Sequence, residues 1–358
     1  MRYQSLSIEN FRGITNLELT DMKRVNLLVG RNNCGKTSVL EAAFLLSGMS
    51  NPQLPTNIHN FRDIILTSDE DFRYMFRNLD FAVPINIKGM IDNHNRDLSI
   101  EPLYTDDFSS YSHRQSQELK QEEIIDQQEN ITASTSFIGL VEGIKLIFRN
   151  HQNQQFQGLI SLKRNRILTP SKYEENLPCT YLNTKTIMTR IDKRIENLLI
   201  QKKLNTVISV LKCIEPKLVD IRMGADGMIY VDVGADNLLP LNIMGDGIRR
   251  ILAMMTAIAD MKNGVLLIDE LENGLHYASL SMAWKAFFAA CKVYNVQIIA
   301  TTHSEECVEA FSKVYDEMEP GGDDIRLYRI DREDEKHKAF IYISQVLKAG
   351  IEKEFEVR

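Results

Sequence analysis

Residues 25 to 47 constrain the fold of this chain more than any other stretch. Val25-Asn-Leu-Leu-Val29 is a short apolar run with no helical spacing; it stops at Gly30, and an Ala/Leu-rich run of good helix formers begins at Thr37. That order predicts strand, loop, helix. The loop reads Gly30-Arg31-Asn32-Asn33-Cys34-Gly35-Lys36-Thr37-Ser38. In Gly-x-x-x-x-Gly-Lys-Thr the glycines let backbone amides turn toward a polyphosphate, Lys36 brings a cation to the β and γ phosphates, and the Thr37 hydroxyl is a ligand for Mg2+. The helix that starts there aims its positive end at the same anion. A loop needing glycine only for its turn would not require a buried strand before it and a helix after it.

The rest of the composition narrows the setting. With 358 residues, 44% of them hydrophobic and 25% charged, the chain is long enough for one large domain or two smaller ones, and we read one domain over 1–358. Acidic residues outnumber basic ones, 49 to 42, for a net charge of −7. DNA contact would therefore have to come from a local patch. There is no apolar run of membrane-spanning length, and Met1-Arg-Tyr-Gln-Ser-Leu-Ser has no apolar signal core, so a cytoplasmic protein without membrane contact is expected. Cys34, Cys179, Cys213, Cys291 and Cys307 are scattered, with no Cys-x-x-Cys, and read as reduced thiols. Cys34, inside the loop near a helix start, is a candidate for a lowered pKa.

Along the chain, residues 2–10 and Leu17-Glu-Leu19 read as a pair of strands leading into the one before the loop. Asp69 to Leu79 reads as a helix with acids at its start. Ile85 to Ile91 alternates cleanly and pairs with Asp97 to Ile100 as a hairpin, and short strands follow at Gly143–Arg149 and Phe156–Leu162. These make 81–180 an inserted β-rich lobe. Its polar segment 104–130 reads as a mobile loop or a thin exposed helix. Residues 181–262 form a helical lobe: apolar residues from Ile187 to Leu211 recur at three and four, as one helix or two broken near Asn205, followed by a hairpin around Gly224–Gly227 and a helix from Gly247 to Asp260. Gly264–Ile268 and Val296–Ala300 are continuous apolar strands around a helix from about Tyr277 to Lys292, the pattern of a parallel sheet covered on both faces.

Asp269-Glu270 closes the first of those strands, where α/β sheets place their ligands. Asp269 there can hold Mg2+ through water, and Glu270, facing the other way, can orient or deprotonate an attacking water. The competing reading is a helix N-cap pair facing solvent. His303 follows the next strand and can reach a γ phosphate. Gly245-Asp246-Gly247 opens another helix and so makes a second anion site, more than one nucleotide requires. A dimer resolves this, with that helix of one subunit facing the nucleotide of the other.

Lys36 in its loop, Gly245-Asp-Gly247 before a helix, Leu266-Leu-Ile-Asp-Glu270, Glu272-Asn-Gly-Leu-His276 and His303 fall in the order of ABC-type P-loop ATPase heads. Ile8-Glu-Asn-Phe-Arg-Gly13 and Asn32-Asn33 resemble the RecF, SMC and OLD (overcoming lysogenisation defect) branch of AAA/ABC-type ATPases. The resemblance implies an α/β ATPase head with a parallel core sheet, an N-terminal antiparallel β element and a helical lobe, closing as an ATP-sandwich dimer or higher homo-oligomer. It implies that Lys36, Thr37 and Ser38 with the rest of the loop bind ATP, that Asp269 assists Mg2+, and that Glu270 is the catalytic base. It makes Gly245 to Gly247 the signature, Glu272 to His276 with Asn273 the D-loop, and His303 the switch histidine, with Arg12 near the nucleotide. Two departures stand out: the signature lacks a serine hydroxyl, and no glutamine loop is evident, Gln53 being a candidate by position only.

The stretch after His303 is too short for the TOPRIM nuclease of many OLD proteins, and Asp331-Arg-Glu-Asp-Glu335 reads as a solvated turn, not as that domain's metal carboxylates. The resemblance then implies an OLD-like ATPase acting through a separately encoded effector, a nuclease or toxin, as in bacterial anti-phage systems. The rival is a RecF-type DNA-repair clamp, with Lys163-Arg-Asn-Arg166 and Arg190, Lys193, Arg194, Lys202 and Lys203 as phosphate contacts, although Asp192 and Glu196 interleave. A P-loop kinase or GTPase would need a phosphoacceptor lid or an Asn-Lys-x-Asp motif, and neither is present.

Overall fold

A computed structural model describes residues 2–104, 140–170, 173, 177–212, 215–225 and 227–353. The polar segment at 105–130, Cys213 and the last five residues lie outside them. The strands in chain order are β1 (Tyr3–Phe11), β2 (Ile14–Leu19), β3 (Val25–Val29), β4 (Ile85–Ile91), β5 (His94–Tyr104), β6 (Val141–Arg149), β7 (Gln155–Ser161) and β8 (Arg166–Leu168). Then come β9 (Cys179–Leu182), β10 (Asp220–Met223), β11 (Ile229–Asp232), β12 (Leu239–Pro240), β13 (Val265–Ile268), β14 (Gln297–Thr301), β15 (Ile325–Glu333) and β16 (Lys336–Ile343). The helix after β3 is α1 (Lys36–Ser47), followed by the short α2 (Leu54–Asn60).

Two large sheets face each other. The core sheet runs β16-β15-β3-β14-β13-β9, parallel from β15 to β9, with β16 antiparallel at the edge. The second is antiparallel, β2-β1-β4-β5-β6-β7-β8. Strands β4 to β8 continue the sheet begun by the N-terminal hairpin, because β4 pairs with β1 from Ile8↔Ile87 to Tyr3↔Ile91.

Period-two alternation explains why β3, β13 and β14 look continuously apolar. Val25, Leu27, Leu266, Ile268 and Ile298 point into one core, shared with the helices Ile191–Ile200, Leu204–Leu211, Asp246–Asp260, Tyr277–Tyr294 and Glu305–Met318. Leu28, Val265, Leu267 and Ile299 point into the other, against α1 and the antiparallel sheet. Helix α1 is clamped between the sheets, and only Thr37 and Phe44 on it escape burial. Apolar residues on all sides suit such a position, and the buried Glu41 among them is paired with Arg12 and Arg62.

The pairing of β1 with β2 and of β4 with β5, the break between helices Ile191–Ile200 and Leu204–Leu211, and the parallel β13–β14 pair follow the sequence pattern. Asp69 to Leu79 differs. It forms two short 3-10 segments, Asp69–Met75 and Arg77–Leu79, because Phe76 is extended and bridges Phe11, and Asn78 is left-handed at φ 54°. Ser68 and Asp71 form the capping box at its start. Strand β15, paired with β3, carries Arg326 and Arg329 and lacks the apolar signature of its neighbours. Arg326 is nonetheless buried, its guanidinium held by Asp21 and Asp323. Asp334 and Glu335 make the β15–β16 turn, while Asp331 lies in the strand.

Candidate active site

Strands β3, β13 and β14 run parallel side by side, so the loop after β3, the acidic pair after β13 and His303 after β14 emerge at one carboxyl edge. A cleft of about 520 Å³ there is lined by Asn32, Asn33, Cys34, Gly35, Lys36, Thr37 and Ser38 with Arg62, Glu270 and His303. On the loop's other flank, Arg31 to Cys34 and Arg329 to Asp334 line a second cleft of about 610 Å³.

The loop's shape demands its two glycines. Gly30 has φ 137° and Gly35 φ 97°, both in the left-handed region, and a Cβ on Gly30 would lie 2.3 Å from the Ile330 carbonyl oxygen of β15. Gly30→Ala is expected to lower unfolding stability by about 2–4 kcal/mol, read as a shift in urea midpoint. Lys36, 5% exposed, donates from Nζ to the carbonyls of Gly30 at 2.7 Å and Arg31 at 3.0 Å. Burial lowers its pKa, against the pull of Cys34, Asp269 and Glu272. The Cys34 thiol is buried in the loop, and Cys34, Cys179, Cys291 and Cys307 are all unbridged.

Asp269 accepts hydrogen bonds on Oδ1 from Thr301 Oγ1 at 2.7 Å and Thr37 Oγ1 at 3.2 Å, and on Oδ2 from Tyr181 Oη at 3.2 Å. A hydroxyl and a carboxylate converging from the two motifs are hard oxygen donors of the kind that would suit Mg2+. Glu270 sits at φ 52°, a conformation costly for a residue with a Cβ. Its neighbours fix it there: its N–H donates to Thr301 Oγ1 at 2.8 Å, its carbonyl accepts from Asn273 N at 3.0 Å, and Asn273 Nδ2 donates to Oε2 at 3.3 Å. The His303 N–H donates to Glu272 Oε1 at 2.7 Å, tying the tip of β14 to the turn after Glu270.

Arg12 does not line the cleft. Its Nε pairs with Glu41 Oε2 at 2.6 Å, and Glu41 Oε1 accepts at 2.6 Å from Nε of Arg62, whose Nη2 also reaches Ser38 Oγ at 3.3 Å. Arg62 is thus the arginine the fold brings to the loop. Glu41, fully buried, sits between the two guanidiniums. Removing its charge leaves two facing cations unneutralised, so Glu41→Gln is expected to cost about 3–5 kcal/mol of stability, measured by chemical denaturation. Gln53 is half-buried just before α2 and lines neither cleft.

Gly245 and Asp246 are exposed at the start of the Asp246–Asp260 helix and are absent from the cleft of their own chain. That helix packs beside the turn after Glu270: a Cβ on Gly274 would lie 2.8 Å from Arg250 Cδ. Most of the residues read from sequence thus fall into two groups, one around Lys36 and Glu270 and one at the exposed helix start Gly245–Asp246, with Arg12 and Gln53 in neither. Arg62, Glu41, Thr301 and Tyr181 belong to no linear motif, and only the packing brings them in.

Fold and site together define an ABC-type P-loop ATPase head. Residues 1–308 match the AAA ATPase domain family, and the chain belongs to that family. An "ATP/GTP phosphatase" of Helicobacter pylori is 27% identical over 342 residues, 88% of this chain and 89% of that protein. The DNA replication and repair protein RecF of Idiomarina loihiensis is 31% identical over 85 residues, 24% of this chain and 23% of that protein. Among solved structures, an SMC head bound to the C-winged helix domain of ScpA aligns with a TM-score of 0.51 at 11% identity, covering 96% of this chain and 98% of that one, a likeness of fold. The chain is an ATPase of this class. No helix among the described residues is long and apolar enough to cross a membrane.

Proposed function

We propose that this protein is an OLD-like ATPase that dimerises around ATP and Mg2+ and controls a separately encoded effector, a nuclease or toxin, in bacterial anti-phage defence. The observation that carries the dimer is the exposed Gly245–Asp246 start of the Asp246–Asp260 helix, an anion site that does not line the cleft of its own chain. In this reading Lys36 and the loop amides hold the triphosphate, Thr37 and Asp269 hold Mg2+, which neutralises charge on the β and γ phosphates, and Glu270 takes the proton of the attacking water. Asn273 and Thr301 keep Glu270 in place, His303 faces the γ phosphate, and Arg62 adds a cation beside Ser38. Arg12 acts on the nucleotide site through Glu41. The solved SMC head carries a bound protein partner, which supports protein control as the output of a head of this shape.

The alternative is a RecF-type DNA-repair ATPase, favoured by the local RecF similarity. Its phosphate contacts are partly spoken for: Lys163 and Arg164 pair with Glu142, and Lys193 pairs with Glu196 at 3.6 Å. Steady-state turnover with and without linear duplex DNA separates the two. The effector reading expects turnover indifferent to DNA and recovery of a co-encoded protein in an ATP-dependent complex. Turnover that duplex accelerates in a salt-dependent way would replace it with the DNA reading.

A further inference from the structure

Asp269 is held by three hydroxyls, and two of them come from the motif strands and the phosphate loop. The third, Tyr181, is on β9, the edge strand of the core sheet, in parallel register with Leu267 two residues before Asp269. Its side chain is 4% exposed, and its Oη meets Asp269 Oδ2 while Thr37 and Thr301 occupy Oδ1. Burial, and then the charge of Asp269, push the phenol's pKa well up, so it stays a neutral donor.

The ring of the same residue does something else. It lies flat on Phe61, centroids 4.8 Å apart and planes 8° from parallel, and Phe44 of α1 tilts against both. Asn183, just past β9, donates from Nδ2 to the Phe61 carbonyl at 3.3 Å. The next residue is Arg62, whose guanidinium reaches Glu41 and Ser38 at the cleft. One side chain therefore touches the metal-side carboxylate through its hydroxyl and the turn that presents Arg62 through its ring.

We propose that Tyr181 is a positioning residue that links these two parts of the site: its hydroxyl fixes Asp269 with Oδ1 toward Thr37, and its ring seats the Phe61–Arg62 turn over the phosphate loop. This rests on the roles given above to Asp269 and Arg62. Tyr181 itself is not among the residues that line the cleft. Outer partners of a metal-binding carboxylate govern its orientation and are worth about tenfold or more in metal affinity. Stacked aromatic contacts hold a turn by packing alone, so hydroxyl and ring have separable consequences.

The test is equilibrium binding of a fluorescent ATP analogue to the full chain, in EDTA and across a Mg2+ titration, with folding checked by circular dichroism. Tyr181→Phe keeps the stack and removes the hydrogen bond. It is expected to raise the Mg2+ midpoint about tenfold, with metal-free affinity as in the wild type. Phe61→Leu keeps the hydrogen bond and removes the stack, and should weaken metal-free affinity while leaving the Mg2+ midpoint in place. A wild-type Mg2+ midpoint for Tyr181→Phe, or wild-type metal-free affinity for Phe61→Leu, would overturn the proposal alone. Failure of the wild type to bind the nucleotide at all would overturn the reading of the phosphate loop and the proposal with it.

Discussion

Glu270→Gln is expected to lower ATP turnover by about 10²–10⁴-fold, the range for losing a positioned general base, while ATP binding persists and a closed dimer accumulates. The substitution is nearly isosteric. The amide can still meet Asn273 Nδ2 through its oxygen, and the backbone restraints from Thr301 and Asn273 are unaffected. What is lost is the ability to accept a proton from water beside the loop, where Glu270 lines the cleft with Lys36 and Thr37. Phosphate release gives the turnover, and light scattering on an ATP-loaded sample gives the mass. Normal turnover would show that the base lies elsewhere, and His303 would be the next residue to test.

Lys36→Ala is expected to weaken ATP affinity by about 100-fold, since a hydrogen bond from a charged donor to phosphate contributes about 1.5–3 kcal/mol. The carbonyls of Gly30 and Arg31 that accept from Nζ would also lose their partner. Unfolding midpoints should therefore accompany the titration, so that a softened loop is not mistaken for a lost phosphate contact. Lys36→Arg separates charge from shape: a planar guanidinium does not replace a compact ammonium in a pocket this tight, and little affinity should return. Recovery of wild-type affinity by arginine would mean that charge alone suffices.

The core-sheet strands that are legible in the sequence share one physical cause. Strands β3, β13 and β14 are buried on both faces and so read as mostly apolar runs, interrupted only by the buried Asn26 and Gln297 before their last residues, and each is followed by residues whose chemistry marks the ligand edge. Strand β9 sits in the same sheet but has only Cys-Thr-Tyr-Leu to announce it, and Tyr181 is invisible without its register. Strand β15 hides its place beside β3 behind Arg326, a buried cation neutralised by Asp21 and Asp323. Arg62 follows the Phe61 turn with no local signal, and it is Arg62, sharing Glu41 with Arg12, that lines the cleft. Position along the chain shows which residue types recur near a phosphate loop, and packing decides which guanidinium arrives.

Under the proposed function each nucleotide is completed by the Gly245–Gly247 helix start of a second copy. The direct measurement mixes two inactive variants. Gly247→Asp places a carboxylate where that helix would meet the partner's phosphates, and a Cβ at Gly247 meets only the Gly274 carbonyl oxygen at 3.5 Å, an ordinary contact. Glu270→Gln removes the base from its own cleft. In a mixed dimer one site pairs an intact Glu270 with an intact Gly247. With sites shared in this way, the mixture is expected to hydrolyse ATP although neither variant does so alone. A mixture as inactive as its components, when mass measurements show that mixed dimers have formed, would contradict it.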